Sequence, residues 1–304
     1  MHWMTVTQEP SGLGESPFWH AQQRLLYWVD IPGLKILRAN TVTGAVQSWD
    51  MPMEPGCIAP AASGGLVVAL RDGIYRAQEW GVGLRLLHRF EHDVLTTRFN
   101  DGKADPLGRF WAGTIYEPRS APLAQLFSFD CRDARVPEVR RMAGNATVAN
   151  GLAWSPDGRQ VYWADTAQHL IRVWDWDGAS NTMQGERIFK QFAPKPAHWQ
   201  SGMDGYGGRP DGAAVDVQGN YYVAMFEGEC LLKLAPDGSV LQTIPTPALC
   251  PTMPCFGGDD LKTLFVTTAR HNRPPQELAR LPESGCIFSM RVEVPGLPVN
   301  LFRD

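Results

Sequence analysis

The chain has 304 residues, 20% of them charged, and a formal net charge of −4. That length allows one large all-β domain or two ordinary ones, with room for a substantial core. The charge balance gives no electrostatic basis for binding nucleic acid or an anionic membrane surface.

Glycine (30) and proline (24) are plentiful and no long helical period appears. They read as punctuation between short strands. The first ten residues, MHWMTVTQEP, have neither a basic segment nor an apolar one, and no window approaches membrane-spanning length. A cytoplasmic location is therefore expected. The six cysteines (57, 131, 230, 250, 255 and 286) form no CxxC pair. A reduced state fits them better than a disulfide framework, and Cys250 and Cys255 lack the other donors of a zinc site.

In chain order, one unit recurs. Glu15 is followed by a polar turn at 20–24 and the run LLYWVD (25–30). Gly56 has Gly64 eight residues on, then LVVAL (66–70). Asn100, inside the segment RFNDGKADPLGRFWAGT (98–114), has Gly108 eight on and then RFWAGT. Asn150 has Gly158 eight on and then QVYWADT (160–166). Asp211 has Gly219 eight on and then NYYVAMF (220–226), and Thr252 has Asp260 eight on and then LKTLFVTT (261–268). A period of roughly 40–60 residues with several short strands fits a blade of a β-propeller. The expected fold is all-β: one domain over residues 1–304, a six-bladed propeller with four-stranded blades around a central channel. Residues 3–7 are expected to add a strand that closes the ring against the last blade. The stretches 179–205 and 271–284 read as irregular loops.

In a propeller the first strand of each blade lines the channel, so residues at one phase converge in space. Four of the six phase-matched positions carry carboxylate or amide oxygens: Glu15, Asn100, Asn150 and Asp211. Asn-Gly and Asp-Gly are also ordinary turn formers, so Asn150-Gly151 and Asp211-Gly212 have a local explanation as well. Glu15 does not, since Glu is a poor turn former. Two carboxylates aimed into one channel need compensation. A divalent cation supplies it, and oxygen donors suit Ca²⁺, Mg²⁺ or Mn²⁺, with Zn²⁺ also open. Arg98 lies two residues before Asn100 and should share its face of the strand. Lys103 has an equally good structural reading. Asp30 and Asp165 read as strand-end carboxylates holding backbone N–H groups, and Trp28, Trp111 and Trp163 as packing between blades. No GxSxG, HExxH, Walker A or GxGxxG element is present.

The segments LGESPFWH (13–20), RFNDGKADPLGRFWAGT (98–114), NGLAWSPDGRQVYWAD (150–165) and RPDGAAVDVQGNYYVA (209–224) resemble the SMP-30/gluconolactonase/luciferin-regenerating family. FGGDDLKTLFVTTAR (256–270) extends the resemblance over nearly the whole chain. The resemblance implies a six-bladed propeller with one divalent metal ion in the channel. By position it implies Glu15, Asn150 and Asp211 as metal ligands, and Arg98 and Asn100 as substrate-binding residues. Glu117, just after the AGT segment, is an expected sugar contact. The implied activity is hydrolysis of a sugar lactone to the aldonic acid, with Asp211 also the expected general base. The expected partner is a small-molecule sugar lactone, with no nucleic acid or membrane, and the chain is expected to be a monomer or weak homo-oligomer. The alternatives are a related esterase or organophosphate hydrolase using the same ion, and a non-catalytic calcium-binding regulatory propeller.

Overall fold

Short β-branched and aromatic runs separated by polar turns build six four-stranded antiparallel sheets in the computed structural model, which describes residues 2–132 and 136–304. The first blade runs outward through Gly14–His20, Leu25–Asp30, Lys35–Ala39 and Val46–Asp50. The next four repeat that order from innermost strands Pro55–Pro60, Thr97–Ala104, Ala149–Trp154 and Arg209–Val215. The sixth starts at Pro251–Gly257 and ends with Met4–Thr5, which pairs with Phe288–Arg291. Met4 faces Ser289 and Thr5 faces Phe288. This is the expected ring closure, and it ties the beginning of the chain to its last blade.

Burial follows position in the blade. The innermost strands are almost wholly buried, while outermost ones such as Val46–Asp50 are largely exposed. The second strands supply bulk between blades. Trp28, Trp111 and Trp163 are fully buried there. Trp111 packs edge-on against Trp154 at 5.4 Å and Trp176 at 5.9 Å. Such pairs add about 0.5–1.5 kcal/mol beyond area burial. Asp30 accepts from Gly12 N (2.9 Å) and Leu13 N (3.1 Å). Asp165 does the same for Thr147 N (2.9 Å) and Val148 N (3.1 Å). These carboxylates stitch the strand entering a blade to the end of its second strand.

Every innermost strand breaks register at the phase-matched residue. The breaks span Glu15/Phe18, Pro55/Cys57, Phe99/Gly102, Asn150/Ala153, Pro210/Ala213 and Pro251/Met253. A bulge at that point re-aims a side chain out of the pleat. Asn150-Gly151 is therefore no turn: it lies inside a strand, and Gly151 takes the left-handed backbone (φ 63°) that the bulge needs.

The two ends of the channel differ. At one end, the hairpin turns, such as 105–109, meet residues 296–304, which cross that face. Arg303 N donates to Gly108 O at 2.9 Å, and Phe302 is fully buried against Phe110 and Phe129. Neither expected loop is wholly irregular: Thr182–Gln191, within 179–205, is the outermost strand of the fourth blade, and Pro275–Arg280, within 271–284, forms a short helix begun by prolines and held by an Arg273–Glu277 ion pair. No helix among the described residues is long and apolar enough to cross a membrane.

Candidate metal and substrate site

The bulges carry Glu15, Asn100, Asn150 and Asp211 into one cavity of about 450 Å³ at the end of the channel opposite the hairpin turns. All four are buried. Arg98 lines the same cavity, and its Nη1 donates to Asn100 Oδ1 at 2.8 Å, so the two share a face as the strand period requires. Asn100 Nδ2 donates to Ala149 O (2.8 Å) and to Asn150 Oδ1 (3.0 Å). Asn150 Nδ2 donates to Thr166 Oγ1 (2.8 Å), which donates to Pro210 O (2.7 Å). One chain of hydrogen bonds thus runs from Arg98 in the third blade to the residue before Asp211 in the fifth.

The two remaining phase positions are structural. A Cβ on Gly56 would sit 2.4 Å from Phe99 O, so glycine lets the third blade's inner strand come close. The Thr252 hydroxyl lies within hydrogen-bond distance of Gly14 O and of the Thr267 hydroxyl. Glu117 stands at the rim. Its carboxylate accepts from Arg71 (2.9 Å) and from Arg98 Nε (3.3 Å), and it braces Arg98 from outside the cavity. Lys103 points into the channel below, where it donates to Ala213 O and lines a second cavity of about 290 Å³.

Sequence reasoning missed Asp101, Thr166, Arg119, Arg209 and Arg273. Arg209 had a signal: it precedes Asp211 by two residues, as Arg98 precedes Asn100. Asp101 follows Asn100 on the strand, and only the bulge turns it toward the other carboxylates. Arg119 and Arg273 lie on loops, where no period applies.

The electrostatics of the site are dominated by its buried carboxylates. Burial drives the Glu15 carboxyl well above the usual range, and the Asp211 and Asp101 charges add to the effect. Burial, then Asp101, pushes Asp211 up to about 8. Asp101 is raised by burial and restrained by Lys103. Oδ1 of Asp211 and Oδ1 of Asp101 are buried oxygens with no hydrogen-bond partner among the described residues. Buried carboxylates left open in this way are costly unless a cation meets them. No three His, Cys, Asp or Glu side chains among the described residues form a metal-binding group by themselves. The Asn150 amide oxygen lines the same cavity as the Glu15 and Asp211 carboxylates. Carboxylate and amide oxygens fit a hard divalent ion.

The sequence pattern of the SMP-30/Gluconolactonase/LRE-like region matches residues 13–270. The chain belongs to this family. A 6-deoxy-6-sulfogluconolactonase of Pseudomonas putida is 43% identical over 303 residues, covering 98% of this chain and 97% of that protein. Regucalcin of Danio rerio is 31% identical, covering 96% and 95%. Among solved structures, a calcium-binding protein, regucalcin, from Agrobacterium tumefaciens superposes with a TM-score of 0.88 at 22% identity, covering 99% of this chain and 97% of that one. A luciferin-regenerating enzyme gives 0.87 at 24% identity, covering 100% and 99%. At those identities the structural likeness speaks for the propeller fold.

Proposed function

We propose that the protein is a metal-dependent lactonase that opens a sugar lactone to the aldonic acid, with Glu15, Asn150 and Asp211 holding one divalent ion. The observation that carries this reading is the meeting of these three residues in one buried cavity, with an orphaned Asp211 oxygen. The names of the family and of the 43% identical relative support a lactone as the substrate.

A divalent ion bound there supplies Lewis-acid polarisation of a lactone oxygen. Asp211 accepts the proton of the attacking water through its free oxygen, a role suited to a carboxylate with an open, buried oxygen. The water oxygen bonds to the acyl carbon, the ring C–O bond breaks, and the ring oxygen leaves as a hydroxyl after taking up a proton. Arg98 and Asn100 orient the sugar hydroxyls and steady negative charge on oxygen. Arg98 is prepared for this by Glu117 on its outer side and Asn100 on its inner side. The rigid Arg98–Asn100–Asn150–Thr166 chain keeps these donors aligned before substrate arrives. Glu117 acts on substrate through Arg98.

The test is a pH-indicator assay on pentono- and hexonolactones, with chelation followed by return of Ca²⁺, Mg²⁺, Mn²⁺ or Zn²⁺. The reading expects activity that chelation removes and one of these ions restores. Asp211→Ala should lower kcat by about a hundredfold or more. A folded Asp211→Ala protein with full, chelator-insensitive activity would overturn it.

A further inference from the structure

The walls of the cavity above the oxygen set are cationic, and their ion pairs do not balance. Arg273 is held by Glu277 (2.6 Å) and by Glu227 (2.9 Å). Glu227 also serves Lys195 at 2.8 Å and Arg209 at 3.3 Å, so one buried carboxylate answers three cations. Arg209 Nε is buried with no partner among the described residues. Arg119, on the loop after Phe110–Tyr116, lines the cavity, and no hydrogen bond or ion pair of its guanidinium is found among the described residues. Its backbone is left-handed (φ 55°), in a tight turn closed by Arg119 N donating to Tyr116 O at 2.9 Å.

Elsewhere the interior arginines are matched. Arg76 pairs with Asp304, Arg109 with Asp105 and Asp130, and Arg172 with Glu186. At this cavity Arg119 and Arg209 both line the wall, and the carboxylate that Arg209 pairs with is shared with two other cations. Burial, and then the charge of Arg209, make the cationic form of Arg119 less favourable than in water. Arg209 lies over the Phe226 ring at 5.1 Å, and its Nε–H is unused among the described residues. A surplus of forked donors at the mouth of a site favours an anion with several oxygens.

Resting on the lactonase reading above, we propose that Arg119 and Arg209 form a subsite for an anionic substituent of the lactone. The preferred substrate is then an aldonolactone carrying a phosphate, sulfonate or carboxylate group away from the ring carbonyl. That group does not react. It anchors the substrate while the acyl carbon is attacked and the ring C–O bond breaks.

The test compares initial rates of the full-length protein, with divalent ion present, on glucono-lactone and on gluconolactones with 6-phosphate, 6-sulfonate or 6-carboxylate groups. At least one anionic lactone is expected to exceed the neutral one in kcat/KM by about ten- to a hundredfold, the range of one or two charge-assisted hydrogen bonds. The gain should lie mainly in KM and shrink as salt is raised. Arg119→Gln and Arg209→Gln, made separately, should each narrow the anionic-to-neutral ratio by about tenfold. Arg119 lies on an exposed loop, so its variant keeps the test sound should Arg209→Gln fail to fold. Neutral lactone opened as efficiently as all three anionic ones overturns the subsite and leaves the lactonase reading standing. Variants that slow both substrate types in parallel do the same. A protein that opens no lactone of either type overturns the lactonase reading and the subsite with it.

Discussion

Asn100 and Asn150, from neighbouring blades, are joined by a 3.0 Å hydrogen bond from Asn100 Nδ2 to Asn150 Oδ1. The bond links the residue proposed to touch substrate with the amide proposed to touch the ion. It also orients both amides, because Arg98 fills Asn100 Oδ1 and Thr166 receives Asn150 Nδ2. Each amide is left with one rotamer that satisfies every partner.

Asn100→Ala should therefore affect more than sugar binding. Losing a group that orients a ligand typically costs 10–100-fold in metal affinity or activity. We expect kcat/KM to fall by about that much and divalent-ion affinity to fall by about tenfold. Steady-state kinetics and calorimetric titration of the ion check this. A variant with weakened substrate binding and unchanged ion affinity would show that the two amides work independently.

Thr166→Val keeps the shape and removes the hydroxyl between Asn150 Nδ2 and Pro210 O. Two buried polar groups lose a partner, so unfolding free energy should drop by about 1–3 kcal/mol. Urea denaturation measures it. Ion affinity should fall with it, since Asn150 is no longer held.

The metal-free protein should become less stable as pH rises. The folded-state pKa of Asp211, about 8, stands above its ordinary value of 3.8, because burial disfavours the charged form. Between those values the folded chain binds more protons than the unfolded one, so stability falls with pH. The contribution is fully present below about 3.8 and is lost as pH passes 8. Glu15 is shifted in the same direction. Thermal melts of chelated protein from pH 5 to 9 should show the decline, and divalent ion should flatten it. A flat profile without metal would contradict this electrostatic picture.

Phe302→Ala tests the crossing segment at the far end of the channel. Phe302 is fully buried against Phe110 and Phe129, and Phe302 N donates to Pro60 O at 2.9 Å. Removing a buried ring costs about 3–5 kcal/mol. The site lies at the other end, so the loss should appear in urea denaturation and hardly at all in KM.

Much of this arrangement was legible in the sequence. The eight-residue offset between a marker and its turn is set by strand length, so it showed in the residues themselves and gave six blades and their inner strands. The same phase gave Glu15, Asn100, Asn150 and Asp211, and the two-residue strand period gave Arg98. The bulges were not legible, because a register break leaves no compositional mark, and they are what turn Asp101 inward. Arg119 and Arg273 were out of reach for another reason: loop residues have no period, and their place depends on which blades the ring brings side by side. Arg209 was legible and was overlooked, although its spacing to Asp211 repeats that of Arg98 to Asn100.

The most direct test of the central claim is calorimetric titration of divalent ions into chelated full-length protein, alongside Glu15→Gln and Asp211→Asn. Three side chains brought into one cavity by bulges of three different blades should bind one ion per chain. Each variant should weaken that binding by about a hundredfold or more, with its blades intact by circular dichroism. Wild-type protein that takes up no ion, or variants that bind it as tightly, would contradict the account.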